Sequence, residues 1–226
     1  AKAKYKPLSF STTMTNPSRI VSFLNCIVPY EHKILTSDII MEIIYDVIRK
    51  KLYKPTYISK NLVYKGIYSN DENEFDLKQI KDIVRKSPQK HKEAGFEYGW
   101  PSRFDTWFKL SKEFGFLYYE MNEPIIISKV GHMLIDAINE QPINNEKIEN
   151  VFCNSLAKYA SNNPFRKTLN SNVPLLLLLK VIKNLKEDDE CDHNGIYRRE
   201  IPIFLCWPNG DDKELYAYIK NLRKKY

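Results

Sequence analysis

The chain has 226 residues and carries 35 lysines and arginines against 28 acidic residues, which gives a net charge of +7 at pH 7. A basic surface favours a polyanion or an anionic membrane as partner over another basic protein. The longest apolar run, Val173 to Leu179, is far shorter than the roughly 20 residues that a membrane-spanning helix needs, and no signal-peptide pattern opens the sequence. We therefore expect a cytoplasmic protein that contacts no membrane.

The first part of the chain predicts an arm followed by three helices. The first fifteen residues are basic and then rich in small hydroxyl side chains, without a helical period, and we expect them to be extended. Asn16 and Pro17 form a strong helix start, because a capping side chain precedes a proline at the first helical position. Apolar spacing predicts a second helix over residues 36–52. A polar, turn-rich stretch over 64–76 leads to a short helix over 77–87, which a proline closes.

The most informative segment runs from Pro101 to Ile138. Ser102 and Asp105 are predicted to cap a helix that carries aromatic side chains on one face and ends at Gly115. The strand-like runs FLYYE and IIIS flank the turn MNEP, which predicts a hairpin directly behind this helix. Ser128 then starts another helix. The order helix, loop, helix, hairpin, helix is typical of a winged-helix domain.

The last third predicts four more helices, and the final two form a second helix-turn-helix around the turn WPNGD. We therefore expect a mainly α fold with a small β-hairpin wing, built from tandem winged-helix or helix-turn-helix units. The expected division is an N-terminal arm and helical subdomain over residues 1–75, a winged-helix DNA-recognition unit over 76–143 and a second helix-turn-helix unit over 144–226.

The helix after Pro101 carries the predicted DNA-binding site. In a helix-turn-helix, the second helix enters the major groove, and its first residues face base edges and phosphates. Arg103 is placed there for a fork to guanine or to phosphate. Ser102, Thr106, Lys109 and Lys112 are predicted to project from the same exposed side. An ordinary solvated position remains the alternative for any one of them.

A second basic surface is predicted on the C-terminal helices, where it would suit phosphate contacts. A solvated face that touches no ligand explains it nearly as well. Its members are Arg198, Arg199, Lys213, Lys220, Arg223, Lys224 and Lys225.

The sequence predicts no catalytic site. Asp76-Leu77-Lys78 matches the last part of a nuclease metal site, but such a triplet is common by chance, and no predicted strand carries it. Cys191, His193 and Cys206 lack the paired spacing of zinc ligands. We therefore expect no metal and no cofactor in this chain, and free thiols at its four scattered cysteines.

Three stretches of the sequence are recognisable: LSFSTTMTNPSRIVSFL, KILTSDIIMEIIYDVIRKKLYKPTYI and SPQKHKEAGFEYGWPSRFDTWFKLSKEFGFLYYE. They resemble the N-terminal half of the AlwI-like type II (type IIS) restriction endonucleases. The resemblance implies that a monomer recognises a short asymmetric site in double-stranded DNA and cuts a few bases away with a C-terminal domain that requires Mg²⁺. We expect that domain to be missing from this chain, and we therefore expect the chain to bind DNA without cutting it.

Carried over by position, the resemblance marks the arm and the groove helix as DNA contacts. The arm residues are Ser11, Thr12, Thr13, Asn16 and Arg19, and the helix residues are Ser102, Arg103, Thr106 and Lys109.

Two other classes of protein remain open. A non-enzymatic winged-helix transcription regulator or replication initiator would use the same basic helices, but would bind a palindrome or repeats as a dimer. An enzyme complete in these residues would need Asp76 and Lys78 to join other acidic residues around a metal ion.

Overall fold

The computed structural model describes residues 4–10, 14–191 and 193–225. Within these ranges the protein is mainly helical, with eleven α-helices and one two-stranded antiparallel hairpin, which confirms the predicted class of a mainly α fold with a small hairpin. None of the helices in these ranges has the length and apolar character that a bilayer crossing requires. The tandem winged-helix arrangement stays a prediction.

The elements follow one another in this order: α1 (Pro17–Asn25), α2 (Ser37–Arg49), α3 (Thr56–Lys60), α4 (Leu62–Ser69), α5 (Leu77–Lys86), α6 (Trp100–Glu113), β1 (Leu117–Tyr118), β2 (Ile126–Ile127), α7 (Lys129–Asn139), α8 (Asn145–Lys158), α9 (Pro174–Lys186), α10 (Ile201–Cys206) and α11 (Asp212–Arg223).

The contacts between residues divide the chain into two compact units. The central unit is formed by residues 11–149, and the terminal unit by residues 1–10 together with 150–226, so that the division falls within α8. The three-part division expected from the sequence stays a prediction.

Helix α6 lies at the centre of the central unit, where it packs against α1, α2 and β1. Phe104, Trp107 and Phe108 are fully buried, and Phe23 of α1 packs against the rings of Trp107 and Phe108. The aromatic residues of α6 therefore form a core, as their helical spacing predicts.

Capping side chains start three helices at the predicted positions. Oδ1 of Asn16 accepts a hydrogen bond from the N–H of Ser18 at the start of α1. Thr36 and Ser128 likewise cap α2 and α7. Each cap satisfies a backbone N–H that the helix itself leaves without an acceptor.

Helix α6 starts two residues earlier than predicted. Its first residue is Trp100, and Gly99 precedes it with a φ of 98°, a conformation that favours glycine. The predicted capping box of Ser102 and Asp105 is wrong, because both side chains lie inside the helix and bond to other elements. The hydroxyl of Ser102 forms hydrogen bonds with the loop that precedes α6, and the carboxylate of Asp105 accepts a hydrogen bond from the hydroxyl of Tyr119.

Two short helices occupy a stretch in which the sequence predicts none. The prediction of a polar, turn-rich segment over residues 64–76 is wrong for its first half, where α4 continues to Ser69. Asn61 caps α4 by accepting from the N–H of Tyr64, and the hydroxyl of Tyr64 donates to Asp82 on α5. These contacts hold a helix whose own sequence contains a glycine.

The segment between α1 and α2 lies beside the hairpin. The N–H of His32 donates to the carbonyl of Ile125 at 2.8 Å, and the N–H of Ile125 donates to the carbonyl of Lys33 at 3.0 Å. Farther along, the N–H of Leu35 donates to the carbonyl of Glu123 at 2.9 Å. The hairpin is thereby fastened to the connection that precedes α2.

In the terminal unit, α9 packs against α11. Leu177, Val181 and Leu185 of α9 form its core with Leu215 and Ile219 of α11. The arm residues 4–10 contain no helix or strand, in agreement with the extended arm predicted for them. Three of their backbone groups form hydrogen bonds within this unit: Lys4 with Leu169, Lys6 with Asn170 and Leu8 with Leu205.

Candidate nucleic-acid interface

Two predicted contact residues, Arg19 and Arg103, meet at the same two-residue segment of the central unit. Arg19 lies in the first turn of α1, and its Nη2 donates to the carbonyl of Leu52 at 3.0 Å. Arg103 lies in the first turn of α6, and its Nη2 donates to the hydroxyl of Tyr53 at 3.1 Å. The fold therefore brings together two arginines that are far apart in the sequence.

Aromatic rings support both guanidinium groups. The guanidinium of Arg103 lies over the rings of Tyr53 and Trp107, 4.9 and 5.8 Å from their centroids. The guanidinium of Arg19 lies 5.6 Å from the centroid of Phe23, whose ring packs 5.4 Å from that of Trp107. A cation held over aromatic faces keeps its charge and loses rotational freedom, which prepares it for a ligand.

His91 is the third partner of Arg103. Its Nε2 lies 2.7 Å from Nη1 of Arg103. Because a guanidinium can only donate, Nε2 accepts, and the proton of the neutral imidazole is carried by Nδ1. Burial and then the charge of Arg103 lower the pKa of His91 from its ordinary 6.5. The imidazole is therefore a neutral acceptor at neutral pH.

We call this group the arginine cluster: Arg19, Tyr53, His91, Arg103 and Trp107. The acceptors that hold the two arginines are a carbonyl, a phenol and an imidazole, and none of them is negative. In the described part of the chain, neither arginine forms an ion pair with a carboxylate. The cluster thus keeps two positive charges without a counterion from these residues.

Four N–H groups of the arginine cluster are buried without a hydrogen-bond acceptor among the described residues. They are Nε of Arg19, Nε of Arg103, Nδ1 of His91 and Nε1 of Trp107. Buried donors are almost always bonded in folded proteins, so such groups call for a water, an ion or a ligand. All four can donate, and none can accept in the protonation state described above.

Ser102 does not contribute to an exposed face. Its side chain is fully buried, and its hydroxyl donates to the carbonyl of Glu97 at 2.7 Å and accepts from the N–H of Glu93 at 2.9 Å. The prediction that Ser102 projects outward is wrong, because the loop over residues 88–99 folds back over the start of α6. Ser102 fastens that loop, which carries His91 to Arg103.

The remaining predicted residues of α6 differ in accessibility. Thr106 is half-buried and donates to the carbonyl of Ser102, whereas Lys109 is exposed and forms a 3.6 Å ion pair with Glu93. Lys112 is buried, and the prediction that it is exposed is wrong. Its Nζ donates to the carbonyl of Tyr119 at 2.8 Å and to Glu120 at 2.6 Å, because the hairpin covers this side of the helix.

Among the predicted contact residues of the arm, the structure describes Asn16 and Arg19. Asn16 is exposed, although its Oδ1 is used in capping α1. Ser11, Thr12 and Thr13 lie outside the described residues. Their predicted contacts with DNA stay predictions.

Fewer of the predicted basic side chains are exposed on the terminal unit than the sequence indicates. Arg198 and Arg199 are exposed, and the guanidinium of Arg199 lies 5.2 Å from the ring centroid of Tyr197. Arg223, in contrast, is buried against Glu200, and Lys220 pairs with two carboxylates. The prediction is therefore wrong for Arg223, which holds the unit together. The exposed members besides the two arginines are Lys213, Lys224 and Lys225.

Asp76 has a capping role. Its Oδ1 accepts from the N–H of Gln79 at 2.8 Å, and the side chain of Gln79 accepts from the N–H of Asp76 at 3.0 Å. Lys78 is exposed in the first turn of the same helix, α5. Among the residues that the structure describes, no three His, Cys, Asp or Glu side chains are grouped in a way that could hold a metal ion.

Two residues of the arginine cluster, Tyr53 and His91, are not predicted from the sequence. Tyr53 lies in the connection after α2 and is 50 positions from Arg103, and His91 lies in the loop before α6. No motif or spacing links them to the arginines. The only hint in the sequence is the position of His91 within the basic, aromatic loop KHKEAGFEYGW.

The model of the protein family described as AlwI restriction endonuclease matches residues 112–225, about half of the chain. This match identifies the class of the protein as restriction endonuclease. The chain belongs to the AlwI restriction endonuclease family. The matched region starts near the end of α6, so the resemblance of the earlier stretches to the N-terminal half of the family stays a prediction. No curated protein and no solved structure matches the chain.

Proposed function

We propose that this chain binds double-stranded DNA at a specific sequence, as the recognition part of a restriction endonuclease. The arginine cluster of the central unit is the observation that carries the proposal. Two arginines are fixed in place with no carboxylate partner in the described residues, and four N–H donors of the cluster, one on each arginine, one on His91 and one on Trp107, lack acceptors there. A polyanion is the ligand that such a site complements, and DNA is the polyanion on which this family acts.

The order of elements in the central unit supports this proposal. Helix α6 is followed directly by the hairpin. The backbone of residues 32–35, between α1 and α2, forms hydrogen bonds with residues 122–125, which precede β2 of that hairpin. In helix-turn-helix proteins, the first turn of the second helix meets the DNA. The residues proposed to contact DNA are Ser11, Thr12, Thr13, Asn16, Arg19, Arg103, Thr106 and Lys109, with Arg198 and Arg199 on the terminal unit.

Cleavage is proposed to belong to another part of the parent protein. The resemblance implies a nuclease domain that uses Mg²⁺, recognition of a short asymmetric site and action as a monomer, and all three enter here as parts of the proposal. In this chain Asp76 completes a helix cap, so its carboxylate already has a structural use.

The experiment that tests specific binding is selection of the purified chain on a random duplex library, followed by affinity measurement on the enriched sequence. Fluorescence anisotropy should show tight binding that falls by orders of magnitude between about 50 and 200 mM salt, because each neutralised phosphate releases counterions. The absence of any enriched sequence, or an affinity that does not depend on salt, would refute the proposal.

The proposed lack of cleavage is tested separately. Supercoiled plasmid that carries the selected site should stay intact when incubated with the chain and Mg²⁺. Reproducible nicking that disappears in Asp76→Ala would show instead that this chain holds a complete active site.

A further inference from the structure

We propose that the arginine cluster binds a single phosphate group, and that in the complex this phosphate belongs to the DNA backbone. Arg103 then positions the protein on DNA and does not read a base. The identity of the phosphate rests on the proposed function, whereas the chemistry of the site does not.

The four N–H groups without an acceptor indicate which kind of ligand the site can bind. Nε of Arg19, Nε of Arg103, Nδ1 of His91 and Nε1 of Trp107 all donate, and the two guanidinium groups add positive charge. The complementary ligand accepts hydrogen bonds from several directions, donates none and is negative. A phosphate oxyanion has these properties, and guanidinium groups are strong donors to it.

The position of Arg103 argues against a base contact. Reading guanine requires an extended arginine whose two N–H groups reach O6 and N7 together. Here both terminal nitrogens of Arg103 are engaged inside the protein, Nη1 by His91 at 2.7 Å and Nη2 by Tyr53 at 3.1 Å. The guanidinium is also held over the rings of Tyr53 and Trp107. A guanidinium that the protein holds in place in this way is suited to bind a phosphate of the DNA backbone.

Trp107 provides a direct probe of the site. Its side chain is fully buried, yet its Nε1–H has no acceptor among the described residues. Inorganic phosphate added to the full chain should shift the indole N–H resonance of Trp107 in a saturable way, with the resonance assigned by its loss in Trp107→Phe. The double variant Arg19→Gln, Arg103→Gln should lose this shift. Saturable binding that survives in the double variant, or no shift in the wild type, would overturn the phosphate site.

A second measurement identifies the source of the phosphate. On a random-sequence duplex, a plot of log affinity against log salt has a negative slope, and the double variant should make this slope less steep by about 0.9, the contribution of one phosphate contact. The single variant Arg103→Lys, which keeps the charge, should retain most of the wild-type slope. Lys65→Gln is the matched control, because Lys65 is exposed on α4 and has the same charge but no place in the cluster. Its slope should equal that of the wild type.

The outcomes separate this inference from the proposed function. If the double variant binds random duplex like the wild type and loses only its preference for the selected site, the cluster reads bases and the inference fails while the function stands. If the wild type binds no duplex but phosphate shifts Trp107, the proposed function fails and the anion site stands. Thermal melting checks that each variant is folded, and Arg19→Gln alone gives the same test if Arg103→Gln unfolds.

Discussion

Arg223 and Glu200 form a two-pronged ion pair in the terminal unit, in which Nε and Nη2 of the arginine donate to the two carboxylate oxygens at 2.7 and 2.8 Å. The two side chains are only 9% and 1% exposed. The guanidinium also donates to the carbonyls of His193 and Gly195 at 2.8 and 2.5 Å. Arg223 thus ties the last helix to the loop before α10.

Replacing Arg223 by glutamine should destabilise the chain by about 3–5 kcal/mol, because the buried carboxylate of Glu200 would lose its counterion. The neighbouring exposed Lys224→Gln is the control, and it should change the free energy of unfolding by less than about 0.5 kcal/mol. Urea unfolding followed by circular dichroism measures both. Equal effects of the two substitutions would contradict the structural role of Arg223.

The terminal unit should lose stability in acid. Burial alone would raise the pKa of Glu200, but hydrogen bonds from Arg223 and from the N–H of Tyr197 outweigh it, and the pKa lies below its usual value. The pKa of Asp188 is held well below its usual value, first by Lys220 and then by Tyr216. The folded state therefore binds fewer protons than the unfolded state. Its stabilisation is present above about pH 4.3 and is lost as the pH falls through the folded pKa values.

Asp188→Asn tests this acid dependence. The variant should be less stable than the wild type at pH 7, and the difference in unfolding free energy should shrink as the pH is lowered towards 3. A difference that stays constant over this range would show that the carboxylate of Asp188 contributes no charge-dependent stability.

His91 should titrate below its ordinary pKa of 6.5, because burial and the neighbouring charge of Arg103 both oppose protonation. The stabilisation from neutral His91 is complete above about pH 6.5 and is lost as the pH falls through the folded pKa. Proton NMR of the imidazole measures this pKa. In Arg103→Gln it should rise but stay below 6.5, because burial, the larger cause, remains. A pKa above 6.5 in the wild type would rule out the bond from Arg103 to a neutral imidazole.

Gly131 allows α7 to start close against the hairpin. A Cβ at this position would lie 2.3 Å from the carbonyl oxygen of Phe116 and 2.8 Å from Cγ2 of Ile127. Gly131→Ala should therefore destabilise the central unit by about 3 kcal/mol or more, since the nearest obstacle is backbone. Gly66→Ala in α4, where nothing lies within 4 Å, should stabilise it by about 0.5–1 kcal/mol. Thermal melting of both variants should give shifts of opposite sign, and a neutral Gly131→Ala would show that the junction can relax.

The sequence predicts helix starts well because a cap is a contact between neighbours in the chain. Asn16, Thr36 and Ser128 each accept from a backbone N–H two or three residues ahead. Helix α4 escapes prediction because distant contacts hold it. The hydroxyls of Tyr64 and Tyr68 bond to groups 18 and 17 positions away, and no local pattern shows such contacts.

The candidate site divides in the same way. Arg103 is predicted from its position in the first turn of a helix, and Arg19 from the resemblance to the family. Tyr53 and His91, which fix Arg103, lie in connections whose positions periodicity does not predict. The errors for Ser102 and Lys112 have one cause. Helical spacing identifies the apolar face of α6, but the loop before it and the hairpin after it also cover parts of its polar side.

The pairing of the arm with the terminal unit has a consequence for how the chain folds during synthesis. Lys4 and Lys6 are made early, but their partners Leu169 and Asn170 follow much later, and the partner of Leu8 is Leu205. The central unit is continuous in sequence, so it can complete its core on the ribosome while the terminal unit is still being made. The arm cannot complete its hydrogen bonds until Leu205 has been made, and the terminal unit therefore closes after the central unit.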